Sequence, residues 1–308
     1  MADLHPSLRR DCASRTVNTL SYGHTLACIE VTTTGVAGVK AKAVQNAAQR
    51  ANTTADNALS AFMDNIEQDP NVLVMFEGHG DNVTGRVVHN DVKGNQDMLF
   101  VSEVLQTYVN KLLWERLPAL NSHKGLLLLT CGAAITAQHS RDNIIELVRS
   151  RRFSFAIAFA RTSHHNFSGY EAALASVMSR QVRPQTQVWP HIHQPFLGMA
   201  QLRASPVVFV FRDRPDDEQI TVRMLYSVEN SFWGWLDPVR CGDMRCSGYL
   251  SATTLGGGWV SAKCSTCGSS SKIPAPEFVY DMKGGTATVP YPHPTNIPWH
   301  VKKHWKKK

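Results

Sequence analysis

The sequence predicts an α/β fold, in which a mostly parallel sheet carries helices on both faces and is followed by a small cysteine-rich element. Two observations predict the sheet: short continuous apolar runs recur along the chain, and segments with helical periodicity separate them. The third observation predicts the appended element, because four of the seven cysteines lie between residues 241 and 267. With 308 residues, of which 43% are apolar, the chain can bury a sizeable core.

The predicted elements alternate along the chain. Apolar or β-branched runs predict strands at residues 25–33, 72–76, 125–130, 153–159, 207–211 and 221–236. Amphipathic or alanine-rich segments predict helices at 36–68 (one or two helices), 102–117, 141–150 and 168–181. Gly and Asn turns within 83–100 favour a β excursion or a loop, whereas 274–300 is Pro-rich and is expected to be irregular.

These patterns divide the chain into four parts. Residues 1–22 form an irregular N-terminus, and 23–236 form the α/β domain. Residues 237–272 form the four-cysteine element, and 273–308 form a Pro-rich segment with a basic tail.

The net charge of +7 comes mostly from this tail. Five lysines lie within residues 302–308, and without them the charge is 7 − 5 = +2. A short lysine tail is typical of a solvated chain end, and nuclear import or a nucleic-acid contact is the alternative. The sequence lacks an apolar run of ~18 residues and a recognisable secretory signal, so we expect no membrane span and a cytoplasmic or nuclear location.

Two reactive residues follow predicted strands. His79 lies in a Gly-His-Gly turn after the run VLVMF, and Cys131 follows the run GLLLLT, 131 − 79 = 52 residues later. Functional groups of open parallel sheets gather at the carboxyl ends of strands. A thiol beside an imidazole that takes its proton is a nucleophile for acyl carbons. The pair is therefore a candidate catalytic dyad.

At these residues the chain resembles the caspase-like cysteine peptidases, a clan that includes caspases, metacaspases, separases and CHAT-type peptidases. The motifs that carry the resemblance are VLVMFEGHGD and GLLLLTCGAA, and the Thr-Cys-Gly context is most similar to the CHAT-type members. The resemblance covers about residues 25–215 and implies a caspase-like sheet. It also implies that Cys131 is the nucleophile, that His79 is the general base and acid, and that the N–H groups of Gly80 and Cys131 form the oxyanion hole.

The sequence departs from the family in three ways, one of which is the Ala133-Ala134 pair after Cys131-Gly132, unlike caspases. Thr130 precedes Cys131 where caspases have Gln, and one predicted strand precedes the His79 strand where the family usually has two. The substrate pocket is open to two interpretations. Arg161, after the third buried strand, would favour an acidic residue before the scissile bond, whereas Asp81 would favour a basic one.

The four clustered cysteines form two pairs, Cys241-x4-Cys246 and Cys264-x2-Cys267, separated by 17 residues. Two such pairs supply the four thiolates of a tetrahedral Zn²⁺ site, and Gly268 suits the tight turn after the second pair. A site closed by four protein ligands has no open position for substrate, so we expect the zinc to be structural.

Two functions follow from these residues. The first is a cysteine endopeptidase that acts on a protein or peptide substrate, with a zinc-ribbon-like element appended and a regulatory protein partner as a further option. The alternative is a catalytically inactive caspase-like scaffold that binds protein or nucleic acid through the zinc element and the lysine tail.

Overall fold

The computed structural model describes residues 15–22, 26–33, 71–92, 95–109, 111–120, 122–130, 133–161, 174, 178, 187–197, 199, 202, 205–227, 240–241, 245–256, 259–274, 280–283 and 286–292. Over these ranges the protein is mixed α/β with a mostly parallel sheet. The chain divides into two compact units, residues 1–195 with 210–221, and residues 196–209 with 222–308. The domain boundaries expected from the sequence stay predictions.

The described elements are short. The strands are β1 (Arg15–Tyr22), β2 (Leu26–Thr33), β3 (Asn71–Gly78), β4 (Val87–Val92), β5 (Asn95–Leu99), β6 (Lys124–Leu129), β7 (Phe155–Phe159), β8 (Val207–Phe211), β9 (Thr221–Ser227), β10 (Leu250–Gly256), β11 (Trp259–Cys264), β12 (Ser270–Pro274), β13 (Tyr280–Lys283) and β14 (Thr286–Pro290). The α-helices are α1 (Val101–Tyr108), α2 (Lys111–Arg116), α3 (Ala133–Thr136), α4 (Gln138–Arg149) and α5 (Trp189–His193). None of the helices in the described ranges is long and apolar enough to cross a membrane.

In the first unit the strand order is β1-β2-β3-β6-β7. Strand β1 pairs antiparallel with β2, whereas β2-β3, β3-β6 and β6-β7 are parallel pairs. Strands β4 and β5 form a separate antiparallel hairpin in the connection between β3 and β6. This arrangement makes β3 and β6 neighbours, so both strands end at the same edge of the sheet.

The central strands of this sheet form the core. Residues 72–76 of β3 and 126–128 of β6 are buried, as are all residues of β7. Each buried Val, Leu, Ile, Phe or Met side chain among them contributes roughly 1.5–3 kcal/mol on burial. Gly125 has a packing reason, because a Cβ atom there would lie 2.4 Å from Cζ of Phe155. The buried strands expected at 72–76, 125–130, 153–159 and 207–211 are confirmed.

The structure corrects three expectations. The N-terminus was expected to be irregular over 1–22, but Arg15–Tyr22 forms β1; its polar sequence is held by backbone pairing with β2 rather than by an apolar pattern. Two strands thus precede β3. The irregular segment expected at 274–300 contains the paired strands β13 and β14. The helix expected at 102–117 is two helices, because Val109 has an extended backbone. The helices expected at 36–68 and 168–181 lie largely outside the described residues.

The second unit contains two groups of strands. In one group β14 pairs antiparallel with β9 and with β13. The other group is a three-stranded antiparallel sheet in the order β10-β11-β12, and it carries the clustered cysteines at its end.

A buried arginine caps α4 in the first unit. Arg212 is 6% exposed, and its Nε and Nη2 donate to the carbonyl oxygens of Val148 (3.2 Å) and Arg149 (2.6 Å). Its Nη1 donates to the carbonyl oxygen of Asp217. Burial and the nearby charges of Arg151 and Arg149 lower the pKa of Arg212, but a guanidinium stays charged in proteins. The last carbonyls of a helix lack intrahelical donors, and this side chain supplies charge-assisted donors to two of them; the Val148 carbonyl oxygen also accepts the Arg151 N–H (3.1 Å).

We expect Arg212→Met to lower the free energy of unfolding by about 2–3 kcal/mol, because it removes charge-assisted hydrogen bonds to three carbonyl oxygens. Urea denaturation followed by far-UV circular dichroism measures the effect. Arg149→Met is the matched control, since the Arg149 side chain is 59% exposed in an ion pair with Glu146 and such pairs contribute about 0–1 kcal/mol. Equal losses in the two variants would contradict the capping role.

Candidate functional site

His79 lies directly after β3, at the carboxyl edge of the parallel sheet. Its side chain is exposed. Gly80 is half-buried and forms an isolated antiparallel bridge with Val87. The hydrogen bond of this bridge is donated by the Asp81 N–H to the Arg86 carbonyl oxygen (2.8 Å), so the bridge does not use the Gly80 N–H. The backbone around His79 is therefore held in place while its imidazole stays accessible.

Cys131 and Gly132 lie outside the described residues, so the structure does not give the position of the Cys131 thiol. The residues on either side are described: Thr130 is buried at the end of β6, and Ala133 is buried at the start of α3. In the sequence, Cys131 therefore lies between two buried residues.

The strand register relates the three candidate positions to one another. Phe76 of β3 pairs with Leu128 of β6, which pairs with Ala158 of β7, so these residues form one row across three parallel strands. His79, Cys131 and Arg161 each lie three positions after the member of this row on their own strand, since 79 − 76 = 131 − 128 = 161 − 158 = 3. Parallel strands end at the same edge of a sheet, where functional groups gather. We therefore expect the three candidate residues to gather at this edge.

A turn after His79 packs against the chain just beyond Cys131. The turn runs from Asp81 to Gly85, and Gly85 has φ +70°, a conformation that favours glycine. A Cβ atom at Gly85 would lie 2.1 Å from the carbonyl oxygen of Ala133. In addition, Ser140 Oγ of α4 donates to the Thr84 carbonyl oxygen (2.8 Å). Glycine at position 85 thus allows close contact between the loop after β3 and the segment after β6.

The Asp81 carboxylate is engaged within its own turn. Its Oδ1 accepts hydrogen bonds from the N–H groups of Val83 (3.1 Å) and Thr84 (2.6 Å) and from the Thr84 hydroxyl (2.7 Å). The hydrogen bonds from the Thr84 backbone and hydroxyl lower the pKa of Asp81. This role in the turn accounts for an aspartate at position 81 without a substrate. Arg161 is half-buried, beyond the end of β7.

The four clustered cysteines come together as the sequence predicts. The Sγ atoms of Cys241, Cys246, Cys264 and Cys267 all lie within 4.8 Å of one another, and the four residues are free thiols. Cys241 Sγ lies 3.7 Å from Cys267 Sγ, and Cys246 Sγ lies 3.6 Å from Cys264 Sγ. A disulfide would require about 2.05 Å. Sulfur atoms about 2.3 Å from a central tetrahedral metal ion are about 3.8 Å apart, so the cluster can hold a metal ion.

Backbone groups support this cluster at both turns. The N–H groups of Gly248 and Thr266 each approach a cysteine sulfur at 3.4 Å, Cys246 and Cys264 respectively. A Cβ atom on Gly248 would lie 2.4 Å from Thr266 Oγ1 and 2.7 Å from Cys264 Sγ, so glycine is required where the two turns meet. The sequence analysis missed Gly248, although a glycine two residues after Cys246 was the available signal.

The electrostatics of the four thiols also favour a cation. The hydroxyl and backbone of Ser269 stabilise the thiolate of Cys267 and lower its pKa to about 6. The backbone of Cys267 lowers the pKa of Cys264. For Cys246 the Gly248 N–H acts in the same direction, but burial and the neighbouring thiols outweigh it and raise the pKa. Thiolates this close repel one another, and a bound cation removes the repulsion.

Comparison with known proteins adds no family to this description. No protein-family model, curated protein or solved structure matches the chain. The chemistry of both sites is therefore inferred from their own residues.

We expect the purified protein to contain about one equivalent of tightly bound metal ion, and Cys246→Ser to lose it, because a structural site of this kind uses four thiolates. Elemental analysis after gel filtration measures the content. Cys28→Ser is the matched control, since Cys28 lies in β2 of the other unit. Full metal retention in Cys246→Ser would contradict the assignment.

Proposed function

We propose that the protein is a cysteine endopeptidase with a caspase-like sheet, in which His79 and Cys131 form the catalytic dyad. One observation carries the proposal: His79 and Cys131 follow neighbouring parallel strands at equal distance from the paired residues Phe76 and Leu128. The contact of Gly85 with Ala133 supports it, because it joins the two loops that carry the dyad. The second strand before β3 removes one departure from the family pattern.

The reaction would proceed in two stages, acylation of Cys131 and hydrolysis of the thioester. His79 takes the proton of the Cys131 thiol, and the thiolate attacks the peptide carbonyl carbon. The resulting oxyanion accepts hydrogen bonds from the Gly80 and Cys131 N–H groups. The imidazolium then protonates the leaving amine as the C–N bond breaks, which leaves a thioester on Cys131. His79 next takes a proton from water, the hydroxide attacks the thioester carbon, and the carboxylic acid and the Cys131 thiol are released.

For the substrate pocket we favour Arg161 over Asp81. Arg161 follows the same row of paired residues as the dyad, by the same three positions. Asp81 already accepts three hydrogen bonds inside its own turn. An arginine at the pocket selects a carboxylate through charge-assisted hydrogen bonds, so the preferred residue before the scissile bond is acidic.

The metal in the second unit is proposed to be zinc, because four thiolates in a tetrahedral arrangement are typical of structural zinc sites. All four positions are taken by cysteines, so the ion stabilises the fold around β10, β11 and β12 and takes no part in peptide cleavage.

Cleavage of a diverse peptide library, analysed by mass spectrometry, tests the dyad. We expect Cys131→Ala to abolish the cuts, and His79→Ala to lower kcat/KM about 10²–10⁴-fold through loss of the general base. His139→Ala is the matched control, because His139 is another exposed histidine of the same unit, on α4. It should cleave like the unmodified protein.

Two results together would contradict the proposed dyad. If the cuts persist in Cys131→Ala, they come from a contaminant. If, in addition, iodoacetamide alkylates Cys131 of the unmodified protein no faster than an unstructured thiol, the chain is the inactive scaffold and the proposal fails.

The identity of the residue before each cut tests the pocket. We expect cleavage after Asp or Glu, and Arg161→Gln should lower kcat/KM for those substrates about 10- to 100-fold, the effect of losing one charge-assisted interaction. Arg149→Gln is the control, since that side chain is exposed on α4. Cleavage after Lys or Arg that persists in Arg161→Gln would favour Asp81 instead.

A further inference from the structure

The three-stranded sheet of the second unit has one face open to solvent. Along β11 the side chains alternate: Trp259 and Lys263 are exposed, whereas Val260, Ala262 and Cys264 are buried. Cross-strand pairing places Ser251 and Ser270 opposite Lys263, and Lys272 opposite Ser261, on the same side as Trp259. Tyr249 lies two residues before Ser251 and so shares that side. We call this surface the open face; it comprises Tyr249, Ser251, Trp259, Lys263, Ser270 and Lys272.

The open face exposes two aromatic side chains to solvent, although proteins usually bury most of the surface of such rings. Tyr249 is 45% exposed and Trp259 is 41% exposed, and among the described residues they are two of the three exposed large hydrophobic side chains. The Ser265 N–H donates to the Tyr249 carbonyl oxygen (3.1 Å), so Tyr249 lies beside residue 265, six positions or about 20 Å along the sheet from Trp259. Flat, exposed rings at both ends of a small sheet suit a ligand that offers several stacking surfaces.

The charge of the open face is positive. Its charged residues are Lys263 and Lys272, and it contains neither Asp nor Glu. The Lys272 Nζ lies 3.8 Å above the centre of the Trp259 ring, so the ammonium covers one face of the ring and holds a positive charge against it. A divalent ion with four thiolates carries a charge of −2, but Cys264 lies on the buried side of β11, away from the lysines. The exposed surface therefore favours an anionic ligand.

We propose that the open face binds single-stranded nucleic acid. Such a strand combines the two features that the face complements, because its phosphates pair with lysine and its unpaired bases stack on exposed aromatic side chains. An acidic peptide would match the lysines but offers no bases to the rings, and a duplex keeps its bases stacked inside. The inference does not depend on the peptidase proposal, since it uses residues of the second unit alone.

Fluorescence anisotropy with the full-length protein and a labelled oligothymidylate of about 12 nucleotides tests the inference. Between about 50 and 200 mM salt we expect log K to fall with a slope of about −1.4, as two phosphate contacts at about 0.7 each require. Trp259→Ala should weaken binding about 5- to 150-fold, and Trp259→Phe should retain most of it, because a ring is kept. Lys272→Ala should reduce the slope by about 0.7.

Two controls distinguish binding at the open face from binding by the lysine tail and from damage to the cysteine cluster. Replacement of the five lysines within 302–308 by alanine removes the basic tail, and the effect of Trp259→Ala should persist in that background. Metal content of each variant shows that the cysteine cluster is intact. The inference fails if Trp259→Ala with full metal content binds as tightly as the unmodified protein. It also fails if polyglutamate or a duplex of equal length competes as well as the oligothymidylate, or if the alanine tail variant no longer binds.

Discussion

The parallel pairing of β3 with β6 is the constraint on which the candidate active site depends. Both strands are buried through their centres, so their register is held by packing on both faces as well as by backbone hydrogen bonds. A slip of one residue would turn every side chain of a strand to the opposite face of the sheet. Because parallel strands need a crossover connection, residues well separated along the chain leave the sheet side by side. The separation of 52 residues between His79 and Cys131 is thus compatible with proximity.

Strand pairing brings two loops to one edge, and the turn after His79 then sets their contact. Gly85 allows this turn to approach the carbonyl oxygen of Ala133, and Ser140 of α4 holds the Thr84 carbonyl. Asp81 stabilises the turn from within. In this way buried parts of the molecule, the core strands and Ser140 at the start of α4, define the surroundings of a histidine that is itself exposed.

In the second unit, the constraint is the small size of the three-stranded sheet. The sheet of β10, β11 and β12 is small, and small elements often need a metal ion because they bury little apolar surface. Its four cysteines come from two turns, each supported by a backbone N–H near a sulfur atom. A metal ion at one end leaves the opposite side of β11 available, and this is where Trp259 and Lys263 are exposed. The same element can therefore be stabilised by one ligand and present a surface to another.

The sequence by itself determined the central strands and the four cysteines of the candidate metal site. Apolar runs at 72–76 and 125–130 are short enough to indicate buried strands rather than helices, and each cysteine pair is close enough in sequence to converge within one turn. Tertiary structure decided what depends on contacts distant in sequence. Strand β1 lacks an apolar run and exists through pairing with β2, the neighbours of β3 follow from topology, and glycine at 85 matters because of Ala133. The physical reason is that local patterns encode which residues are buried, whereas hydrogen-bond register and close packing arise from partners that the local sequence does not contain.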